Sequence, residues 1–313
     1  MNGPQPSPEM AAVLARLAVE DAGLPDPTTL PASEGRAQAA TANERWNVDL
    51  PTLASVRNVD VAGPAGPLRC RILVPEGPAR GTILFIHGGG WSFCDIDTHE
   101  RSARLLAIEA RATVVSCSYR LAPEHPYPDG LQDCLTVWSA LTANAAPFDG
   151  LRGPLAVAGD SAGANLAAAL MLSEGVAQPD CALLFYGVFD TDFESPSYRE
   201  CAEGPGLTRT KMQRYWNWYA PQGQRDDPRV APLRASDADL RRLPPLYLNA
   251  AEIDPLRSDS ERLFERLAAL GRHDEFLLHP GVVHGFMQMT TVLDEARQAH
   301  AEAGAAFRRM TNA

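Results

Sequence analysis

From Val56 to the end of the chain, short apolar runs alternate with longer stretches of helical periodicity, and this alternation restricts the fold more than any other feature of the sequence. The segments Val56 to Val61, Leu68 to Val74, Thr82 to Ile86, Ala112 to Cys117, Leu155 to Ala158, Cys181 to Tyr186, Leu246 to Ala250 and Glu275 to His279 read as strands. Between and after them, a stretch ending near Ala110 and the stretches Gly130 to Asn144, Ala162 to Glu174, Ser258 to Leu270 and Leu293 to Arg309 read as helices. Asp97 and Glu100 have the spacing of a capping box at the first of these. Strands joined through helices call for right-handed crossovers and parallel pairing, with both sheet faces covered. The expectation is one α/β domain over residues 1–313, built on a mostly parallel eight-stranded sheet.

Two regions break the rhythm. Residues 1–50 carry a helix at Pro8 to Glu20, followed by Pro-rich and Ala-rich polar sequence. Between Thr191 and about Asp239 the alternation lapses, and Met212, Tyr215, Trp216, Trp218 and Tyr219 form an aromatic stripe at helical spacing. Together these regions would make a lid.

Composition excludes several functions. With 313 residues, 45% of them hydrophobic and 21% charged, the chain has the balance of a globular protein with a large core, not of a disordered, collagenous or coiled-coil one. Its net charge of −11 sets the average surface against a phosphate backbone, so no nucleic-acid partner is expected. The sequence holds no apolar run of membrane-spanning length, and Met1 to Pro6 lacks the basic start and apolar stretch of a secretion signal, so no membrane association and a cytoplasmic location are expected. Six scattered cysteines without a Cys-x-x-Cys pair indicate neither a disulfide framework nor zinc. Phosphate-loop and dinucleotide-binding motifs are also missing, so neither a metal nor a cofactor is implied.

The chemistry concentrates at three sheet-edge loops. Gly159-Asp160-Ser161-Ala162-Gly163 lies between an apolar strand and an Ala-rich helix, where a sharp turn would push the Ser161 side chain into the open. The bare motif also arises by chance, and a serine before a helix is ordinarily a cap. His87-Gly88-Gly89-Gly90-Trp91 follows another strand, and its glycines let backbone N–H groups face a ligand. The N–H groups of Gly88, Gly89 and Ala162 are the candidates for stabilising an oxyanion.

A serine hydroxyl needs a base, and the base needs an acid to orient it. His284 follows the strand before it on a loop and Asp254 does likewise, in the order serine, acid, histidine. Glu252 and Asp259 compete with Asp254, which is preferred for its loop position. The remaining histidines, at 87, 99, 125, 273, 279 and 300, read as structural or exposed.

His87-Gly88-Gly89-Gly90, Tyr119-Arg120-Leu121-Ala122-Pro123-Glu124, Gly159-Asp160-Ser161-Ala162-Gly163, Asp254-Pro255-Leu256-Arg257 and His284-Gly285-Phe286 resemble, in order, the signatures of the hormone-sensitive-lipase-like α/β-hydrolases, also called bacterial family IV carboxylesterases. The resemblance spans roughly residues 50 to 310. It implies an α/β-hydrolase fold with helices on both sheet faces, a helical cap from about 1–50 and 191–225, a triad of Ser161, Asp254 and His284, and hydrolysis of short- to medium-chain esters through an acyl-enzyme. The Tyr119 to Glu124 stretch is then structural. Trp91, Asp160, Tyr186, Trp216 and Phe286 are expected to line the substrate pocket, although the Trp216 stripe would equally serve to pack the cap. By analogy with such relatives, the resemblance implies a homodimer through the strand near Glu275 to His279.

Two departures bear on substrate preference: Ala164 stands where a further glycine is common, and Tyr186-Gly187-Val188-Phe189 lacks a frequent proline. A non-catalytic receptor and an interaction scaffold are the rival readings. The first requires loss of a triad histidine, yet His284 is present; the second leaves the glycine run unexplained.

Overall fold

The computed structural model describes residues 3–151 and 153–312. Met1 and Asn2, which open the segment read for a leader and for the cap, lie outside the described residues.

After α1 (Pro8–Glu20) and α2 (Ala32–Glu44), the chain forms the hairpin β1 (Ser55–Gly63) and β2 (Gly66–Val74), then β3 (Thr82–Ile86), α3 (Glu100–Ala110), β4 (Thr113–Cys117) and α4 (Asp129–Thr142). Next come β5 (Leu155–Asp160), α5 (Ala162–Leu172) and β6 (Cys181–Phe185). The interruption holds α6 (Pro196–Glu200), α7 (Arg209–Tyr219) and α8 (Asp237–Arg242). The chain then closes with β7 (Leu246–Ile253), α9 (Arg257–Ala269), β8 (Glu275–Val283) and α10 (Asp294–Thr311).

All eight strands join one sheet in the order β1-β2-β4-β3-β5-β6-β7-β8. β1 pairs with β2, and β2 with β4, antiparallel; every later pairing is parallel, as helix-linked strands require. The buried strands sort their side chains with period two. On β3, Leu84 and Ile86 enter a core with Leu131, Trp138 and Leu166 of α4 and α5, while Ile83 and Phe85 enter the opposite core with Leu106 and Phe307 of α3 and α10. The C-terminal ends of β3, β5 and β7 and the loop after β8 thereby share one rim, where parallel α/β sheets carry their sites.

Two local expectations are corrected. Asp97 does not cap α3, which begins after His99; its carboxylate is taken by Arg69 and Arg71 from β2, at 2.7 and 2.6 Å. Charge-assisted bonds to two guanidinium groups outweigh a single backbone cap. Glu100 likewise binds Arg71 and Arg104 rather than reaching back.

The second is α2, a further helix in the Pro-rich and Ala-rich polar sequence where only Pro8 to Glu20 was expected to be helical. It is rich in alanine, so it has helix propensity, but Gly35 is its one fully buried residue, so no apolar stripe marks it.

Candidate active site

Ser161 sits at the junction of β5 and α5 with φ 54° and ψ −119°, a conformation in which a non-glycine residue is strained. Its neighbours make the turn possible. A Cβ on Gly159 would lie 2.4 Å from the Gly163 carbonyl, and one on Gly163 would lie 2.0 Å from the Ile86 carbonyl oxygen. Ser161 N–H donates to the Phe185 carbonyl at 2.9 Å, and the Asn165 amide fastens the first turn of α5 to the Val188 and Val230 carbonyls.

The structure brings Ser161, His284 and Asp254 together from three loops. His284 Nε2 is 3.0 Å from Ser161 Oγ, and His284 Nδ1 is 2.6 Å from Asp254 Oδ2. Asp254 is fully buried, and its other oxygen accepts from Leu256 N–H at 2.8 Å. Nδ1 therefore carries a proton for the carboxylate, leaving Nε2 to accept from the hydroxyl. Tyr186 stands edge-on to the imidazole, with ring centroids 5.0 Å apart.

Both rival acids have other occupations. Glu252 accepts from Gly281 N–H at 2.7 Å. Asp259 accepts from the N–H groups of Phe189 and Asp190, and burial raises its carboxyl pKa to about 8.

The glycine loop differs from expectation in one donor. Gly88 is not free, because its N–H donates to Asp160 Oδ1 at 2.9 Å. The N–H groups of Gly89, Gly90 and Ala162 donate to no protein acceptor among the described residues. Gly89 and Gly90 both line the cavity over Ser161 and hold φ of 107° and 60°, values that glycine adopts freely. Gly90 was not among the expected donors: its position is plain in the sequence, but the engagement of the first glycine by Asp160 is not.

That cavity measures about 240 Å³. Asn43 and Trp46 wall it from α2 and the turn after it, and Leu207, Met212 and Tyr215 from α7 and its approach. Gly285, Gln288 and Met289 follow His284, with Cys94, His99 and Asp160 across from them in the lining.

Of the five expected pocket residues, only Asp160 lines it. Trp91, Tyr186, Trp216 and Phe286 are at most 2% exposed and serve as packing. Trp91 stacks on Tyr219 with ring centroids 4.2 Å apart and meets Trp216 at 4.8 Å. The helical stripe is divided: Tyr215 turns toward the cavity, Trp216 and Tyr219 turn into the core, and the buried Met212 belongs to that core while also bordering the cavity. A larger hollow of about 730 Å³, bordered by Leu172, Asp227 and Arg229, shares no lining residue with it. Among the described residues, no group of three or more His, Cys, Asp or Glu is gathered to hold a metal ion.

A sequence profile of the alpha/beta hydrolase fold matches residues 83–288. The chain is 40% identical over 239 residues to carboxylesterase NlhH of Mycobacterium tuberculosis, covering 74% of each, and 37% identical over 262 residues to esterase LipI of the same organism, covering 80% of this chain and 81% of the relative. It superposes with TM-score 0.92 on an ester-hydrolase from the metagenome of Lake Arreo, solved with a derivative of bipyridine phosphonate, at 34% identity over 99% of this chain and 100% of that one. The chain belongs to the hormone-sensitive-lipase-like α/β-hydrolases. It is a carboxylic-ester hydrolase.

Within this hydrolase, the Tyr119 to Glu124 motif scaffolds the glycine loop. Tyr119 stacks on His87 at 4.4 Å and donates its hydroxyl to the His87 carbonyl, and Ala122 N–H donates to the Trp91 carbonyl. Glu124 pairs with Arg36 of α2, whose guanidinium also donates to the Ser92 and Ala122 carbonyls. The hydrolase's two departures stay out of the cavity wall: Ala164 is fully buried in α5, and neither Tyr186 nor Phe189 borders the cavity.

Proposed function

We propose that the chain is a serine carboxylesterase acting on short- to medium-chain esters through an acyl-enzyme. The observation that carries this reading is His284 Nε2 at 3.0 Å from Ser161 Oγ, with Nδ1 at 2.6 Å from the buried Asp254. Ser161 attacks the ester carbonyl as His284 takes its proton; Asp254 fixes the tautomer and stabilises the imidazolium without taking the proton itself. The N–H groups of Gly89, Gly90 and Ala162 receive the negative charge that develops on the carbonyl oxygen, and the α5 N-terminus adds its dipole. His284 then protonates the departing alcohol, and water repeats the sequence on the acyl-enzyme.

A cavity of about 240 Å³, walled by Trp46, Leu207, Met212, Tyr215 and Met289, supports small, apolar acyl or alcohol groups over long chains. We read residues up to about 50 and from 191 to 225 as its cap. Six unpaired thiols support a reducing compartment, hence the cytoplasm, and no helix among the described residues is long and apolar enough to cross a membrane.

The test is burst release of nitrophenol from nitrophenyl butyrate, together with mass-spectrometric mapping of an organophosphate adduct. Adduct on Ser161 and loss of turnover in Ser161→Ala are expected. Equal turnover by the substituted protein, or an adduct elsewhere, would sink the proposal.

A further inference from the structure

A carboxylate stands directly behind the nucleophile. Asp160 is 6% exposed and immediately precedes Ser161. Its Oδ1 accepts from Gly88 N–H at 2.9 Å, and a Cβ on Gly88 would fall 2.5 Å from its Oδ2, so carboxylate and glycine loop touch without slack. On the far side, the Gly89 carbonyl accepts from the N–H groups of Ser92 and Phe93 at 3.1 and 2.9 Å. The unspent N–H groups of Gly89 and Gly90 lie between these anchors, and their direction depends on both.

Oδ2 faces His99 Nε2 at 3.4 Å. His99 is 4% exposed and lies on the cavity wall. Its Nδ1 is 3.0 Å from the Thr98 hydroxyl, which is itself fixed by the Asp95 backbone: the Asp95 N–H donates to it at 2.9 Å and the Asp95 carbonyl lies 2.8 Å away. Nε2 carries a proton toward Asp160 when Nδ1 is the acceptor, which requires the Thr98 hydroxyl to turn its single proton from the Asp95 carbonyl to Nδ1, or when the ring is protonated at both nitrogens. Without that donor, one carboxylate oxygen would stand bare and buried beside the point where the oxyanion forms, and like charges repel strongly where water is excluded.

We propose that His99 is a positioning residue for ester hydrolysis: through Asp160 it holds the glycine loop with the Gly89 and Gly90 N–H groups aimed at the oxyanion, and it offsets the carboxylate charge behind Ser161. This rests on the serine-esterase reading above. His99 touches no reacting atom in this scheme, and its effect falls on the transition state more than on substrate binding.

The test compares the parent, His99→Ala and His99→Gln with nitrophenyl butyrate as substrate and a trifluoromethyl ketone as mimic of the tetrahedral adduct. His99→Ala should lower kcat by about tenfold to a hundredfold, less than the roughly hundredfold to thousandfold typical of removing an oxyanion donor outright because the amides are misaimed and not lost, while KM stays within about threefold. Ketone affinity should fall in parallel with kcat/KM. The amide of His99→Gln, reaching where Nε2 stands, should restore most of kcat.

An unchanged kcat in His99→Ala, or a His99→Gln variant no better than the alanine one, overturns the proposal. If His99→Ala does not fold, Thr98→Val removes the Nδ1 anchor together with the hydroxyl's bonds to the Asp95 backbone: a severalfold lower kcat at constant KM and unchanged melting temperature supports the link, and an unchanged kcat overturns it. Organophosphate labelling of the parent separates the two readings. Failure to label Ser161 defeats the esterase reading, whereas labelling together with a normal kcat in the variants defeats only the role of His99.

Discussion

The rim that carries Ser161, Asp254 and His284 and the proposed cap, whose helices α2 and α7 wall the cavity, are built on different principles. At the rim, each functional residue follows a strand that belongs to one continuous hydrogen-bonded sheet, and the turns are set by backbone collisions that only glycine avoids, as at Gly159 and Gly163. The cap has no such lattice. α2 is fastened to the glycine loop by one guanidinium, that of Arg36, and by the close seat of Gly35 against Phe93 and the Pro27 carbonyl. α7 is held by Trp216 and Tyr219 against Trp91. Geometry that a reaction needs within tenths of an ångström rests on the sheet, and the walls that select a substrate rest on side-chain packing.

If that division holds, substitutions at the rim remove rate, and substitutions in the cap change stability or substrate preference. The largest effect expected is Asp254→Asn, which keeps the shape but favours the wrong imidazole tautomer; kcat should fall about 10³- to 10⁴-fold with little change in melting temperature. Single-turnover kinetics would show it, and a loss below tenfold would break the contrast. Trp216→Ala should instead cost about 3–5 kcal/mol in urea unfolding, since its side chain is fully buried among aromatic rings. Tyr215→Ala, one residue earlier on the cavity wall, should lengthen the acyl chain accepted, at small cost in stability. A Trp216 variant of normal stability with a shifted chain-length profile would return Trp216 to the pocket.

The same division explains what was legible in the sequence. Strand alternation and the three loop motifs follow from local rules, so the sheet, the meeting of Ser161, Asp254 and His284 at one rim and two of the three free amides could be read without coordinates. Gly90 in place of Gly88 could not, because the choice depends on an Asp160 contact 72 positions along the chain. The pocket walls failed for a related reason: the stripe Met212 to Tyr219 announces an amphipathic helix but not which of its two aromatic faces meets the core and which the substrate. Helix α2 was hidden because its burial is achieved by a glycine and its fastening by an arginine, neither of which leaves an apolar period.

Below the rim, acid provides an intermediate test. Burial lowers the imidazole pKa of His87, His279 and His300 to about 4, from an ordinary value near 6.5. Between those values the unfolded chain binds protons that the folded chain refuses, so stability falls as pH drops through this window, by about 1.4 kcal/mol per pH unit for each fully released histidine. His300→Gln should flatten the slope by that amount in urea titrations at pH 4.5, 5.5 and 6.5. A parent whose stability is constant over that range would show that these rings are solvated in the folded state.

The smallest effect expected belongs to the fastening between the two regions. Arg36 is partly exposed, so its ion pair with Glu124 contributes little; its bonds to the Ser92 and Ala122 carbonyls, both at 2.8 Å, carry more because those acceptors sit in the scaffold of the glycine loop. Arg36→Ala should therefore cost about 1–2 kcal/mol and raise KM severalfold as α2 loosens over the cavity, while Glu124→Gln, which removes charge but leaves both carbonyl bonds, should change neither by as much as twofold. Equal effects from the two variants would mean that the ion pair holds the cap. A drop in kcat without a rise in KM for Arg36→Ala would mean that the cap helps to set the glycine loop itself, and the separation between rate-setting rim and selecting cap would have to be redrawn at this arginine.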